Sequence, residues 1–123
     1  METDTTVRLD VYADGDELAA EVLGRQLRAA LMEDDLEALP VRDPDAPVGA
    51  RAGGAELPSA VLLKFGPQLV GRAARAIMGW FHRSRLLEVE LTIAGNSIRL
   101  SHATPQQQER LIELLEAQIA EGG

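Results

Sequence analysis

The 123-residue chain reads as an α+β domain with a mixed sheet of three to four strands and helices packed on one face, in the order β-α-(β)-α-β-β-α. Three observations predict this class. The opening segment alternates, with Val7, Leu9 and Val11 apolar between polar neighbours, the period of a strand with one buried face. A second alternating run, Leu87, Val89, Leu91 and Ile93, is followed by Gly95-Asn96 and a third run through Ile98 and Leu100, the signature of a hairpin. Apolar residues elsewhere recur at three- and four-residue steps, which marks amphipathic helices.

Taken in order, Asp14 and Glu17 stand at capping-box spacing before the first helix. Its predicted buried stripe is Leu18, Val22, Leu23, Leu27, Ala30 and Leu31, and Glu33-Asp34-Asp35 lies beyond the packed part. Leu39-Pro40-Val41-Arg42 predicts a short strand, and Pro40 confines it to a sheet edge because proline donates no ladder hydrogen bond. Residues 43–56 are rich in Pro, Gly and Ala and predict a mobile loop inside one domain spanning 1–123. The apolar stretch Leu57 to His82 contains Lys64, Arg72 and Arg75, three cations that a membrane-spanning helix would not carry. Pro67 divides it into a short helix over 58–65 and a longer one from 67 onward. In the hairpin, pairing Ala94 with Ser97 sets Ile93 against Ile98, Leu91 against Leu100 and His102 against Val89. Thr104, Pro105 and Gln107 then open a last helix that buries Leu111, Ile112, Leu115 and Ile119.

Composition removes several function classes. There is no cysteine, so disulfides, thiolate metal sites and cysteine nucleophiles are excluded. The formal net charge of −8 opposes nucleic-acid binding, which basic groups drive. Met1-Glu2-Thr3-Asp4 carries acid where a secretory signal carries base, so a cytoplasmic location is expected. His82 and His102 lack ligand spacing and read as structural or surface residues. Asp14-Gly15-Asp16-Glu17 lacks the ligand periodicity of a calcium loop and reads as helix capping. Glu33-Asp34-Asp35-Leu36-Glu37 reads as a solvated charge run, against a site for a cation or a basic partner. Neither Gly53-Gly54 nor Gly66-Pro67-Gln68 builds a phosphate loop. No catalytic residue, cofactor or metal is expected, and the chain reads as a non-enzyme.

One segment departs from the acidic average. Lys64, Arg72, Arg75, Arg83 and Arg85 hold five of the twelve cations, and no acidic residue lies between Glu56 and Glu88. On a helical projection Val70, Ala73, Ala74, Ile77 and Phe81 share one side, whereas Arg72, Arg75, Gly79 and Arg83 share another. The plain account is a core helix with a basic exposed side, salt-bridged to Glu88 or Glu90. The functional account is a partner-binding surface of Lys64, Arg72, Arg75, Gly79, Trp80, Arg83 and Arg85, since arginine and aromatic residues are enriched at protein interfaces.

The helix ending Ile77-Met78-Gly79-Trp80-Phe81-His82-Arg83, the hairpin Glu88 to Leu100 and the terminal amphipathic helix resemble the effector-associated constant component family of actinobacterial conflict systems. The likeness extends to the opening strand and helix. It implies a small adaptor acting beside a variable effector such as a peptidase, or beside a nucleotide-dependent signalling protein, and it carries over no catalytic residue. The expected function is thus a non-enzymatic, protein-binding component of a bacterial defence system, with homo-oligomers compatible with it. The alternatives are a peripheral membrane sensor using the basic helix 67–83, and a small-molecule-binding domain using the acidic clusters and His102.

Overall fold

The computed structural model describes residues 4–13, 16–42, 56–84, 88–101 and 105–122. The elements are β1 (Thr5–Tyr12), α1 (Glu17–Glu33), β2 (Glu37–Arg42), β3 (Glu56–Phe65), α2 (Val70–Arg83), β4 (Glu88–Ile93), β5 (Asn96–Ser101) and α3 (Pro105–Gly122), with one 3-10 turn over Pro67–Leu69 leading into α2. The five strands form one open sheet in the order β2-β3-β1-β4-β5, and every neighbouring pair is antiparallel.

The α+β class holds, and the sheet is antiparallel where a mixed one was expected. The difference comes from residues 58–65, expected to be helical, which belong to β3. Val61, Leu63 and Phe65 point into the core while Lys64 points to solvent, a period of two that no helix accommodates. β3 inserts between β1 and β2, with Leu9 opposite Val61 and Val7 opposite Leu63 on one side and Ala38 opposite Leu63 on the other. β2 lies at the edge, as Pro40 requires, and its register shifts between Pro40 and Val41. Of the expected loop, residues 43–55 lie outside the described residues and Glu56 already opens β3.

One sheet face is buried and the other is open. Val7, Leu9, Val11, Val61, Leu63, Leu91, Ile93, Ile98 and Leu100 line the inner face. α1 packs on β1, β2 and β3, α3 packs on β1 and β5, and α2 lies between α1 and α3. The outer face carries a polar lattice: Arg8 pairs with Asp10 at 3.0 Å, Lys64 with Glu37 at 3.7 Å, and Arg99 with Glu88 at 3.1 Å.

The hairpin keeps the expected faces with a register two residues away. Ile93 pairs with Asn96, Leu91 with Ile98 and Val89 with Leu100, so the turn is Ala94-Gly95, with φ of 50° and 88°. Two positive φ values are what a two-residue loop matched to strand twist needs. The left-handed Ala94 costs about 1 kcal/mol, and this register sets Glu90 opposite Arg99 and Thr92 opposite Ser97, whose hydroxyls lie 3.2 Å apart.

The helix ends also differ in detail. Asp16 caps α1, its carboxylate accepting the Ala19 N–H at 3.0 Å, and Asp14 lies outside the described residues. At the other end Asp35 adopts φ 60°, the Leu36 N–H reaches Leu31 O at 3.0 Å and the Asp35 N–H reaches Met32 O at 3.1 Å. That is a Schellman closure, with buried Leu36 sealing against Leu31. The acidic run therefore terminates a helix. At α3, Gln107 holds the end of β5, its carboxamide donating to Ser101 O at 2.7 Å and accepting the Ser101 N–H at 3.2 Å; Thr104 lies outside the described residues.

Candidate functional site: the outer surface of α1 and α2

α2 begins where Pro67, at the first position of the 3-10 turn, sets the backbone for a helical start without requiring an N–H partner. Its buried side holds Val70, Ala73, Ala74, Ala76, Ile77, Met78, Trp80 and Phe81. Small alanines let α2 lie close between its two neighbouring helices. The outward side holds Arg72, Arg75, His82 and Arg83, all exposed, and none of the three arginines has an ion pair among the described residues. His82 and Arg83 occupy the last turn, where positive charge complements the helix dipole. Ser84 closes that end by donating both its N–H and its hydroxyl to Trp80 O, at 3.0 and 2.7 Å.

The expected partner-binding set is divided by the fold. Arg72, Arg75 and Arg83 share the exposed side of α2 as a basic ridge, and Gly79, between Arg75 and Arg83, is half-buried under the Arg83 guanidinium. A Cβ at that glycine would come 3.0 Å from one Arg83 guanidinium nitrogen. Trp80 does not belong to the surface: it is 2% exposed, and its indole N–H donates to Leu23 O at 3.1 Å. It ties α2 to α1. The side chain is large and its one polar atom finds a backbone acceptor, the usual terms on which tryptophan is buried. Lys64 stands on the open face of the sheet, paired with Glu37, away from the helical layer. Arg85 and His102 lie outside the described residues.

α1 contributes a surface that includes Leu18 and Val22, both expected to be core. Leu18 is 73% exposed, Val22 47% and Met32 52%. The helix buries Ala20, Leu23, Leu27, Ala30 and Leu31 on its opposite side, so it carries two apolar stripes where a surface helix ordinarily has one. The outer stripe runs Leu18, Val22, Arg25, Ala29, Met32 in steps of four, three, four and three residues. That repeat is visible in the sequence, and the amphipathic reading assigned its first two members, Leu18 and Val22, to the core.

Between the two helices runs a groove of about 300 Å³, with Gln26, Ala29 and Glu33 on one wall, Arg83 and Ser84 on the other, and Trp80 in its lining. Ala29 belongs to the outer stripe and Arg83 to the ridge, so the groove is where the two meet. Chemically the surface offers apolar contact beside fixed positive charge. Among the described residues no three of His, Asp and Glu are grouped to hold a metal ion, and no described helix is long and apolar enough to cross a membrane.

Comparison of the chain with protein-family models, with curated proteins and with solved structures finds no match.

Proposed function

We propose that the chain is a non-enzymatic adaptor of a bacterial conflict system, which holds a protein partner against the outer surface of α2. The partner class implied by the resemblance is an effector peptidase or a nucleotide-dependent signalling protein. One observation carries the reading. Arg8, Lys64, Arg99 and Arg110 each have a carboxylate partner within the domain, whereas Arg72, Arg75 and Arg83, on one face of one helix, have none among the described residues. Segregated, unpaired guanidinium groups on an acidic chain favour an anionic partner surface and exclude basic ones.

The geometry argues against the membrane-sensor alternative. A helix that binds lipid does so with its apolar face, and the apolar face of α2 is consumed by the core, with Trp80 and Phe81 2% and 3% exposed. Of the residues behind the small-molecule alternative, Asp16 caps α1 with its carboxylate and Glu37 pairs with Lys64, while Asp14 and His102 lie outside the described residues.

The test is charge reversal at Arg72, Arg75 and Arg83 to glutamate, followed by capture of partners from the native host. All three side chains are exposed, so the variant should melt close to wild type. Capture should fall at least about tenfold, because several charge pairs of up to about 1 kcal/mol each are inverted. Undiminished capture by the folded variant removes α2 from the interface.

A further inference from the structure

We propose that the outer stripe of α1 and the basic ridge of α2 together form a docking surface for an acidic amphipathic helix of the partner, an inference that rests on the adaptor reading and specifies what is bound. Three features select that occupant. The first is spacing. Leu18, Val22, Arg25, Ala29 and Met32 repeat every 3.5 residues on average, the period at which a second helix keeps one seam in contact along its length. The second is exposure: the three large apolar members stand in solvent although the same helix already has a buried face.

The third feature is charge. Arg25 occupies the centre of the seam, exposed and without an ion pair among the described residues, and Arg83 of the ridge lines the groove beside Ala29 of the seam. A carboxylate on the incoming helix opposite Arg25, with a further acid on the side facing α2, would meet Arg25 and Arg83 while its apolar residues cover Leu18, Val22, Ala29 and Met32. A second copy of this chain fits worse. Pairing α1 with itself about the middle of the stripe places Arg25 against its own symmetry mate, and like charges at a seam position oppose association. Glu33 on the groove wall, Glu17 beside Leu18 and Glu21 one turn before Arg25 are the places where the occupant should present neutral or basic residues.

The probe is a designed helical peptide of about three heptads. Leucine fills its seam positions except for a central glutamate, and glutamates occupy the flank facing α2. A matched peptide carries lysine at each glutamate. Binding of the labelled peptides to the full chain is read by fluorescence anisotropy. The acidic peptide should bind at least about tenfold more tightly than the lysine peptide, and Arg25→Glu should reverse the order. Leu18→Ser with Met32→Ser, both at exposed positions, should weaken the acidic peptide by about tenfold while leaving the melting temperature unchanged. No saturable binding of the acidic peptide, or equal binding of the two, overturns the inference. Sedimentation equilibrium showing a wild-type dimer that the serine pair dissolves also overturns it, because the occupant would then be a second copy. Host-partner capture separates this inference from the reading beneath it. If the arginine reversals abolish capture and the serine pair does not, the adaptor surface stands and the helix falls. If neither changes capture, both fall.

Discussion

Replacing Trp80 by phenylalanine decides whether this residue serves the fold or a partner. In the structure the indole is buried among α2's apolar residues and its N–H donates to Leu23 O. Leu23 lies mid-helix, so its carbonyl retains the intrahelical acceptor role when the indole is lost, and no orphaned buried acceptor adds to the cost. The lost hydrogen bond is worth about 1 kcal/mol. Phenylalanine also removes part of the ring system from a packed interior, which costs a further 1–2 kcal/mol or about that in transfer and cavity terms. The sum is about 2–3 kcal/mol, or a fall in Tm of roughly 10 °C for a domain of this size. The assay is urea unfolding followed by far-UV circular dichroism for both proteins. The wild-type transition is also followed by the emission of Trp80, the chain's one tryptophan, which should shift as the indole leaves the interior. Partner capture by the folded fraction of the variant should be unchanged. A stability change below about 0.5 kcal/mol, coupled with lost capture, would refute the burial argument and return Trp80 to the interface.

Two further substitutions test the backbone analysis. Asp35→Gly relieves the left-handed φ at the end of α1 and removes a negative charge from a helix carboxyl terminus. It should stabilise by about 1 kcal/mol and raise Tm by about 4 °C in a thermal melt; a lowered Tm would contradict the Schellman assignment. Ala94→Asn supplies a residue that tolerates positive φ at the first turn position of the hairpin and should stabilise by about 0.5–1 kcal/mol in chemical denaturation. A loss of stability would indicate that the turn sits instead at Gly95-Asn96.

What could be read from the sequence follows from how cleanly each segment shows its period. β1, β4 and β5 each bury one face, so alternation identified them and assigned their inward residues correctly. The hairpin register was harder, because a shift of two residues preserves every face. The choice rested on Gly95-Asn96 as the better turn pair, whereas the fold accepts strain at Ala94 and gains the Glu90–Arg99 and Thr92–Ser97 pairs. β3 was hidden for a different reason. It is flanked by strands on both sides, and Leu62 on its outer face is half-buried opposite Leu39, so Val61-Leu62-Leu63 presents an apolar run with no alternation.

The candidate site was half legible. Spacing alone placed Arg72, Arg75 and Arg83 on one helix face, and the structure makes that face exposed. Trp80, three residues after Ile77 and one before Phe81, lies on the buried side of the same helical projection, and that geometry could have withdrawn it from the surface set. Lys64 was grouped with the ridge only because of its place in the chain; the sheet carries it to the far face. Leu18 and Val22 of the outer stripe of α1 were assigned to the core because apolar residues do not announce which of two stripes is buried. Leu18 and Leu27 have the same chemistry and stand on opposite sides of the helix.

The central claim concerns which surface meets the partner, and site-specific photocrosslinking reads it directly. Gly71 is exposed on α2, and a side chain added there meets nothing within 4 Å, so a photoreactive residue can replace it without disturbing the fold. Ser97, on the open face of the sheet, is the matched control. Irradiation in the native host should join a protein partner to the chain labelled at position 71 and leave the chain labelled at 97 unjoined. A crosslink from 97 and none from 71 would move the interface to the sheet and contradict the account.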